Sequence, residues 1–149
     1  YLSDWMKVED AFKLFEDFYA DFDRKRAEDM LQSLNIEKTA RLKTLSKGTL
    51  EKVQLVLIMA RRAKLYVLDE PIAGVDPAAR DYILQTILKN YAEDSSILIS
   101  THLITDIEKV LDEVLFLQNG RIVLQGAVDD IRAEYGKSID SLFREVFKC

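Results

Sequence analysis

Two adjacent carboxylates follow a short, continuously apolar segment near the middle of the chain. Leu65 to Leu68 reads Leu-Tyr-Val-Leu, and Asp69 and Glu70 come directly after it. Such a run is typical of a strand buried on both faces of a parallel sheet. Ionised carboxylates beside an apolar core are costly unless a positive group meets them, and a hard cation such as Mg²⁺ is one natural partner. The alternative is a strand that ends in two solvated acids, with Pro71 closing it.

A hydroxyl and a glycine stand at the start of a predicted helix. The run Ser-Lys-Gly-Thr at 46–49 leads into an apolar segment predicted as a buried helix from about Gly48 to Arg62. Free amide groups and the helix dipole at such an N-terminus favour an anion such as phosphate, and glycine permits its close approach. The alternative is that Ser46 only caps the helix.

The single histidine of the chain, His102, follows a second apolar run. Residues 97–99 are predicted as a buried strand, and Ser-Thr at 100–101 separates this strand from the histidine. Because the carboxyl ends of parallel strands meet at one edge of a sheet, His102 is expected near Glu70. The alternative is a histidine that serves only the turn in which it lies.

A loop with turn-forming residues, Ala73-Gly74-Val75-Asp76-Pro77, lies between the two predicted strands. Pro77 opens a predicted helix that runs to about Tyr91, and Asp76 is its predicted N-cap. Two interpretations of this loop stay open, because its residues suit both a functional loop and simple turn chemistry followed by a cap.

The elements that must position these residues divide into a helical first part and an α/β remainder. Apolar spacing of three and four predicts an amphipathic helix over residues 7–22 and a second helix capped by Asp23. Alternation of strands and helices after residue 60 implies parallel pairing. We therefore predict a helical domain over 1–60 and an α/β domain over 61–149.

The last part of the chain carries a strong hairpin signal. Asn119-Gly120 separates two apolar runs, 114–117 and 121–124, and both positions of such a turn need positive φ. Apolar spacing predicts a helix over 103–111 before the hairpin and helices over 128–135 and 139–147 after it.

Composition places the chain among ordinary globular proteins. It has 149 residues, of which 48% are hydrophobic and 32% are charged, and one cysteine, so no intramolecular disulfide can form. The 26 acidic and 21 basic residues give a net charge of −5. This balance argues against non-specific nucleic-acid binding, which needs a basic face, and we expect no nucleic-acid partner.

The order of these motifs resembles that of the ABC-type ATPases. Ser-x-Gly before a helix, an apolar strand with Asp-Glu-Pro, then Gly-Val-Asp-Pro and Ser-Thr-His match the signature motif, Walker B, D-loop and H-loop of that family. The resemblance covers nearly the whole chain. It implies a helical subdomain followed by part of a P-loop NTPase (RecA-like) parallel sheet core, with a carboxyl-terminal β-hairpin and helices.

The resemblance also implies a role for each matching residue. Asp69 would help to hold Mg²⁺ through its water shell, and Glu70 would be the general base that polarises the attacking water. His102 would contact the γ-phosphate of ATP. Ser46 and Gly48 would bind the γ-phosphate of a nucleotide held mainly by a partner subunit, and the D-loop Asp76 would sit at the subunit junction.

Two departures from the family pattern affect these expectations. The signature usually reads Leu-Ser-Gly-Gly-Gln, whereas Lys47 and Thr49 replace a glycine and the glutamine here. Lys47 either adds charge near the phosphate or faces water. No Gly-x-x-x-x-Gly-Lys-[Ser/Thr] motif occurs in the chain. We therefore expect the P-loop, the adenine-stacking aromatic residue and the Q-loop glutamine to precede Tyr1, and we expect this chain alone to be inactive.

The P-loop strand of the family normally pairs beside the strand that ends at Ser100. Without it, an edge is left open that invites dimerisation or swapping. The family's usual partners are a second ATPase subunit and a transmembrane permease, which would hold a cytoplasmic subunit at the inner face of the membrane. The overall pattern is most similar to small bacterial exporters of drugs or antimicrobial peptides. The alternatives are an ABC-type ATPase of translation or DNA repair, and a non-catalytic interaction module.

Overall fold

The computed structural model describes residues 3–73, 75, 77–91 and 94–148. The chain folds as two compact units, of which the first reaches to Ser100 and the second begins at Thr101. The boundary predicted near Ala60 falls inside the first unit, and the division at that residue stays a prediction. No described helix combines the length and the apolar character needed to cross a membrane.

The first unit begins with three helices, α1 (Val8–Phe18), α2 (Arg24–Ser33) and α3 (Lys47–Met59), with a short 3-10 turn at Leu42–Thr44 before the third. Helix α1 buries the apolar stripe that its spacing predicts, with Phe12 and Phe15 in the core. Phe18, the last residue of α1, is 74% exposed, so the predicted stripe is not buried along its whole length.

The predicted cap of α2 is present. The Asp23 carboxylate accepts a hydrogen bond from the Arg26 N–H at 3.1 Å. That backbone bond, together with the guanidinium of Arg62, lowers the pKa of Asp23 below its usual value. The cap fixes the residue at which α2 begins after the turn that follows α1.

The corner between α1 and α2 is tied to the segment that follows α3. Arg61 donates from Nε and Nη2 to Asp21 Oδ1, at 3.1 and 2.9 Å, and from Nη2 to Asp21 Oδ2 at 3.1 Å. Its guanidinium lies 3.9 Å from the centre of the Tyr19 ring. The Asp23 N–H donates to the Ala60 carbonyl at 2.8 Å. Bidentate pairing of this kind is specific in geometry, so the corner and the end of α3 hold one another in place.

The same segment fixes the start of the first strand. The hydroxyl of the buried Tyr66 donates to the Arg61 carbonyl at 2.5 Å and accepts from the Ala63 N–H at 3.3 Å. Tyr66 lies in strand β1, Leu65–Asp69. The helical part of the unit is therefore linked to the strand that carries the acid pair.

The sheet of the first unit consists of β1 and β2 (Ser96–Ser100), joined by α4 (Pro77–Asn90) and paired in parallel. This confirms the predicted pairing. Burial on both faces, however, was wrong. Tyr66 and Leu68 are buried, whereas Val67 is 64% and Leu98 48% exposed. Among the described residues, one face of this two-stranded sheet is covered and the other is open.

The second unit is built on the predicted hairpin. Strands β3 (Glu113–Gln118) and β4 (Arg121–Ala127) pair antiparallel around Asn119 and Gly120, whose φ angles are 50° and 75°. Helices α6 (Val128–Tyr135) and α7 (Ile139–Phe147) have the predicted bounds. The helix predicted over 103–111 is a short α5 (Ile104–Ile107) followed by a 3-10 turn, Glu108–Val110.

A largely buried glutamate organises the second unit. The side chain of Glu108 is 11% exposed. It accepts hydrogen bonds from the Arg132 guanidinium at 2.8 and 3.2 Å and from the backbone N–H groups of Ile139 and Asp140 at 2.9 and 3.3 Å. Burial raises the pKa of Glu108, but these hydrogen bonds outweigh it and hold the pKa below its usual value.

Candidate functional site

The carboxyl ends of β1 and β2 bring an acid and a hydroxyl together. The register pairs Asp69 with Ser100, and the Ser100 hydroxyl donates a hydrogen bond to Asp69 Oδ1. The Asp69 carboxylate is exposed at the strand end, where ligands of α/β sheets bind. The sequence analysis gave Ser100 no role, although its place at the end of a predicted parallel strand was a usable signal.

The backbone turns sharply at Glu70, directly after the strand. Its φ is +46°, in the left-handed region that non-glycine residues rarely adopt. The Glu70 N–H donates to the Ser100 carbonyl at 2.9 Å, and its own carbonyl accepts from the Ala73 N–H at 3.1 Å. These two bonds hold the turn. A conformation that costs about 1–2 kcal/mol for a side-chain-bearing residue persists where the surroundings impose it, and such residues cluster at functional sites.

No local pattern in the sequence predicts this turn. The residue before a proline is biased towards extended backbone, and Pro71 follows Glu70. The acid pair was correctly expected at a strand end. The change of backbone direction between its two members depends on the pairing of Glu70 with β2.

The N-terminus of α3 is capped by the predicted serine. Ser46 Oγ accepts a hydrogen bond from the Thr49 N–H at 3.2 Å and lies 2.8 Å from the Thr49 hydroxyl. The capping interpretation is therefore confirmed. Whether Ser46 also binds phosphate stays a prediction. The contribution of the Thr49 hydroxyl was not predicted.

The space beside Gly48 is open. A Cβ built on this glycine would meet no atom within 4 Å, so the packing around it does not require a glycine. The side chain of the neighbouring Lys47 is 89% exposed, and its Nζ lies 4.0 Å from Glu51 Oε1. Both interpretations of Lys47 stay open, because a side chain exposed in the single chain can face water or a phosphate held by a partner subunit.

We expect Ser46→Ala to lower the free energy of unfolding by about 1 kcal/mol, because one amide at the start of α3 loses its side-chain acceptor. Urea unfolding followed by circular dichroism measures this difference. Ser46→Asp is the matched control, since aspartate caps a helix as well as serine does. Equal stability of wild type and Ser46→Ala would show that the cap contributes nothing.

Two predicted site residues remain, His102 and Asp76, and the structure describes only the first of them. His102 belongs to the second unit, where it is exposed, and the Leu103 N–H donates to the Thr101 hydroxyl at 3.1 Å across it. The expected approach of His102 to Glu70 stays a prediction. Asp76 lies outside the described residues, so its predicted cap and its role are not addressed by the structure.

The donor set at the end of β1 suits a hard cation. Carboxylate oxygen is the ligand that Mg²⁺ prefers, and Mg²⁺ usually takes one or two carboxylates together with water and phosphate oxygens. Among the described residues there is no group of three or more side chains able to enclose a metal ion. A single exposed carboxylate such as Asp69 suits a cation whose other ligands come from water and substrate.

The chain is similar to an AAA-domain family and to ATP-binding subunits of ABC transporters. Residues 7–105 match the model of a family described as AAA domain, putative AbiEii toxin, Type IV TA system. A solved structure of the ATP binding subunit of an ABC transporter is 29% identical to the chain and matches 99% of it, with a TM-score of 0.85. The match covers 65% of that structure. This likeness confirms the predicted α/β fold class.

Curated relatives agree with the structural match. The ABC transporter ATP-binding protein YtrB of Bacillus subtilis (strain 168) is 34% identical over 120 residues, which are 80% of this chain and 41% of that protein. The ABC-type transporter ATP-binding protein EcsA of the same organism is 30% identical over 131 residues, 83% of this chain and 52% of that protein. The chain thus spans about half the length of these relatives or less.

Proposed function

The chain belongs to the AAA domain family whose model it matches and to the ABC-type ATPases, and we propose that it is part of the ATP-hydrolysing subunit of an ABC transporter. We call that longer protein the intact subunit. The observation that carries the proposal is the parallel pairing of β1 and β2, which sets Asp69, Glu70 and Ser100 at one end of the sheet. Phosphoryl transfer relies on positioning and charge stabilisation, which such a strand end provides.

In this proposal Glu70 is the general base. Its carboxylate accepts the proton of the water that attacks the γ-phosphate, and its position is set by the turn at the end of β1. Asp69, held by the Ser100 hydroxyl, binds the water shell of Mg²⁺. When bound, the ion neutralises charge on the phosphates. His102 contacts the γ-phosphate from the loop that follows β2.

The N-terminus of α3 serves the nucleotide of a second subunit. Ser46 and Gly48 donate to its γ-phosphate, supported by the helix dipole and by the open space beside Gly48. Asp76 lies at the junction and couples the two sites. ATP binding thereby joins two subunits, and this dimer drives a transmembrane permease. Such a subunit is cytoplasmic and peripheral at the inner membrane face, and export is the direction that we propose.

We expect this chain by itself to bind ATP more weakly than micromolar and to hydrolyse it at a negligible rate. The reason is that its 149 residues contain no P-loop motif, whose backbone amides cradle the phosphates. Calorimetric titration with ATP and Mg²⁺, and a phosphate-release assay, measure both properties. The matched comparison is the same chain extended upstream to include a P-loop and a glutamine. Micromolar binding by the unextended chain would contradict the proposal.

A further inference from the structure

The linker between α3 and β1, residues 60–64, is bound on one side to the corner between α1 and α2. A backbone bridge pairs Phe22 with Arg61, and the Arg62 N–H donates to the Asp21 carbonyl at 3.1 Å. Beside this bridge, Arg61 donates three hydrogen bonds to the Asp21 carboxylate. An isolated surface ion pair contributes little to stability. This pair is half-buried, forked and flanked by backbone hydrogen bonds, so it fixes the linker to the corner.

On its other side, the same linker holds the start of both strands of the sheet. The hydroxyl of the buried Tyr66, in β1, bonds to the Arg61 carbonyl and to the Ala63 N–H. The Ser96 N–H, at the start of β2, donates to the Lys64 carbonyl at 2.9 Å. The linker therefore connects the α1–α2 corner to the beginning of β1 and to the beginning of β2.

The two strands extend from this fixed start to the acid pair. Each has five residues, which at about 3.3 Å per residue puts the last Cα about 13 Å from the first. Their last residues, Asp69 and Ser100, are register partners joined by a side-chain hydrogen bond, and the Glu70 N–H donates to the Ser100 carbonyl. The turn at Glu70 therefore depends on how the two strands lie beside each other, and the linker sets where both begin.

We propose that Arg61 is a positioning residue for the acid pair, acting from the opposite end of β1. By holding the linker against the corner, Arg61 sets the position of the strands and hence of Asp69 and Glu70. This inference rests on the proposed function, in which Glu70 is the general base, and a base is effective only when it is held in the productive geometry. Arginine suits the role because its planar fork reaches both oxygens of Asp21 and stacks on Tyr19, which an ammonium group cannot do.

Hydrogen exchange of backbone amides in this chain, without nucleotide, is the first test. Arg61→Lys keeps the positive charge but loses the fork. The Glu70 amide should then exchange about tenfold faster relative to the Val53 amide, which is the effect of losing one charge-assisted hydrogen bond. Val53 is fully buried in α3 and reports on the general stability of the unit.

Arg24→Lys is the matched control for this exchange measurement. Arg24 donates to Glu16 at 2.6 Å and to Glu28 at 3.2 Å, so it forms ion pairs at the same corner without bonding to the linker. Its exchange ratio of Glu70 to Val53 should equal that of the wild type. Two results would each overturn the proposal for Arg61→Lys. Faster exchange that stops at the corner would show a purely local role, and an equal increase at Glu70 and Val53 would show a general loss of stability.

Steady-state kinetics of the intact subunit give the second test. Arg61→Lys should lower kcat for ATP hydrolysis about tenfold and leave KM for ATP within about twofold, because the residues that bind the nucleotide are retained. Asp21→Asn should have the same effect. The double variant should be no slower than either single variant, since both changes break one pair. Arg24→Lys should keep the wild-type kcat. A raised KM with unchanged kcat, or losses that multiply in the double variant, would contradict the positioning role.

The two tests separate this inference from the proposed function. If Glu70→Gln leaves ATP hydrolysis unchanged, the proposed function fails, whereas exchange at the Glu70 amide still reports whether Arg61 holds the end of β1. If Glu70→Gln abolishes hydrolysis and Arg61→Lys alters neither kcat nor exchange at Glu70, only the positioning role fails.

Discussion

Glu70→Gln should lower the rate of ATP hydrolysis by the intact subunit about 10²–10⁴-fold, the range that a general base contributes. Glutamine has almost the same shape as glutamate but cannot take the proton of the attacking water. The steric requirements of the turn at residue 70 are unchanged, because both residues bear a side chain of the same size. Release of phosphate under steady-state conditions measures the loss.

The same variant should still bind ATP, so dimers of the intact subunit should accumulate with ATP bound. Size-exclusion chromatography in the presence of ATP and Mg²⁺ detects them. Asp81→Asn is the matched control, because it neutralises an exposed acid on α4 that has no role in the proposed mechanism. An unchanged turnover rate in Glu70→Gln would remove Glu70 from the role of base and leave Asp69 as the acid to examine.

Glu108→Gln should lower the free energy of unfolding of the second unit by about 2–3 kcal/mol. The neutral amide loses the charge that meets Arg132, and its NH₂ group faces donors where the carboxylate offered an acceptor. The cost is large for one residue because the side chain is buried and anchors both α6 and the start of α7. Urea unfolding followed by resonances of α7 measures it.

The effect of Glu108→Gln depends on pH in a defined direction. The pKa of Glu108 in the folded chain lies below the ordinary glutamate value of 4.5. Its charge therefore stabilises the fold fully above that value, and this contribution is lost as the pH falls through the lower, folded pKa. The stability difference between wild type and Glu108→Gln should accordingly shrink as the pH falls below 4.5 and through the lower pKa of the folded chain.

Glu134→Gln provides the control for this series, since Glu134 is an exposed acid on α6. It should change stability little at any pH. A difference between wild type and Glu108→Gln that stays constant from pH 7 down to pH 3 would mean that the carboxylate charge is not what holds α7.

The elements predicted best from the sequence are those with strong local signals. Asn119-Gly120 fixed the hairpin, because its backbone requirement is met by few residue pairs. Helices α6 and α7 have the predicted bounds. Clear apolar spacing, the glycine after α6 and the serine cap of α7 determine where each helix begins or ends. Burial was predicted less well. An apolar side chain such as that of Val67 or Phe18 favours burial, but whether another element covers it depends on the rest of the fold.

In the candidate site, too, some features follow from the local sequence and others depend on residues far along the chain. That Asp69 and Glu70 end a strand follows from residue order alone. The hydrogen bond from Ser100 to Asp69 and the positive φ of Glu70 arise from pairing with a strand more than twenty-five residues later in the chain, and no local pattern encodes that pairing. Glu108 is a further example, because its partners Ile139 and Asp140 are 31 and 32 residues away.

The left-handed backbone at residue 70 sets a conflict between folding and turnover. Glycine would relieve the turn of about 1 kcal/mol, and asparagine tolerates it better than glutamate does. Laboratory evolution that rewards only folded, heat-resistant protein would therefore favour these residues and discard the carboxylate. Any thermostabilised descendant should be sequenced at this codon before its activity is compared with that of the parent.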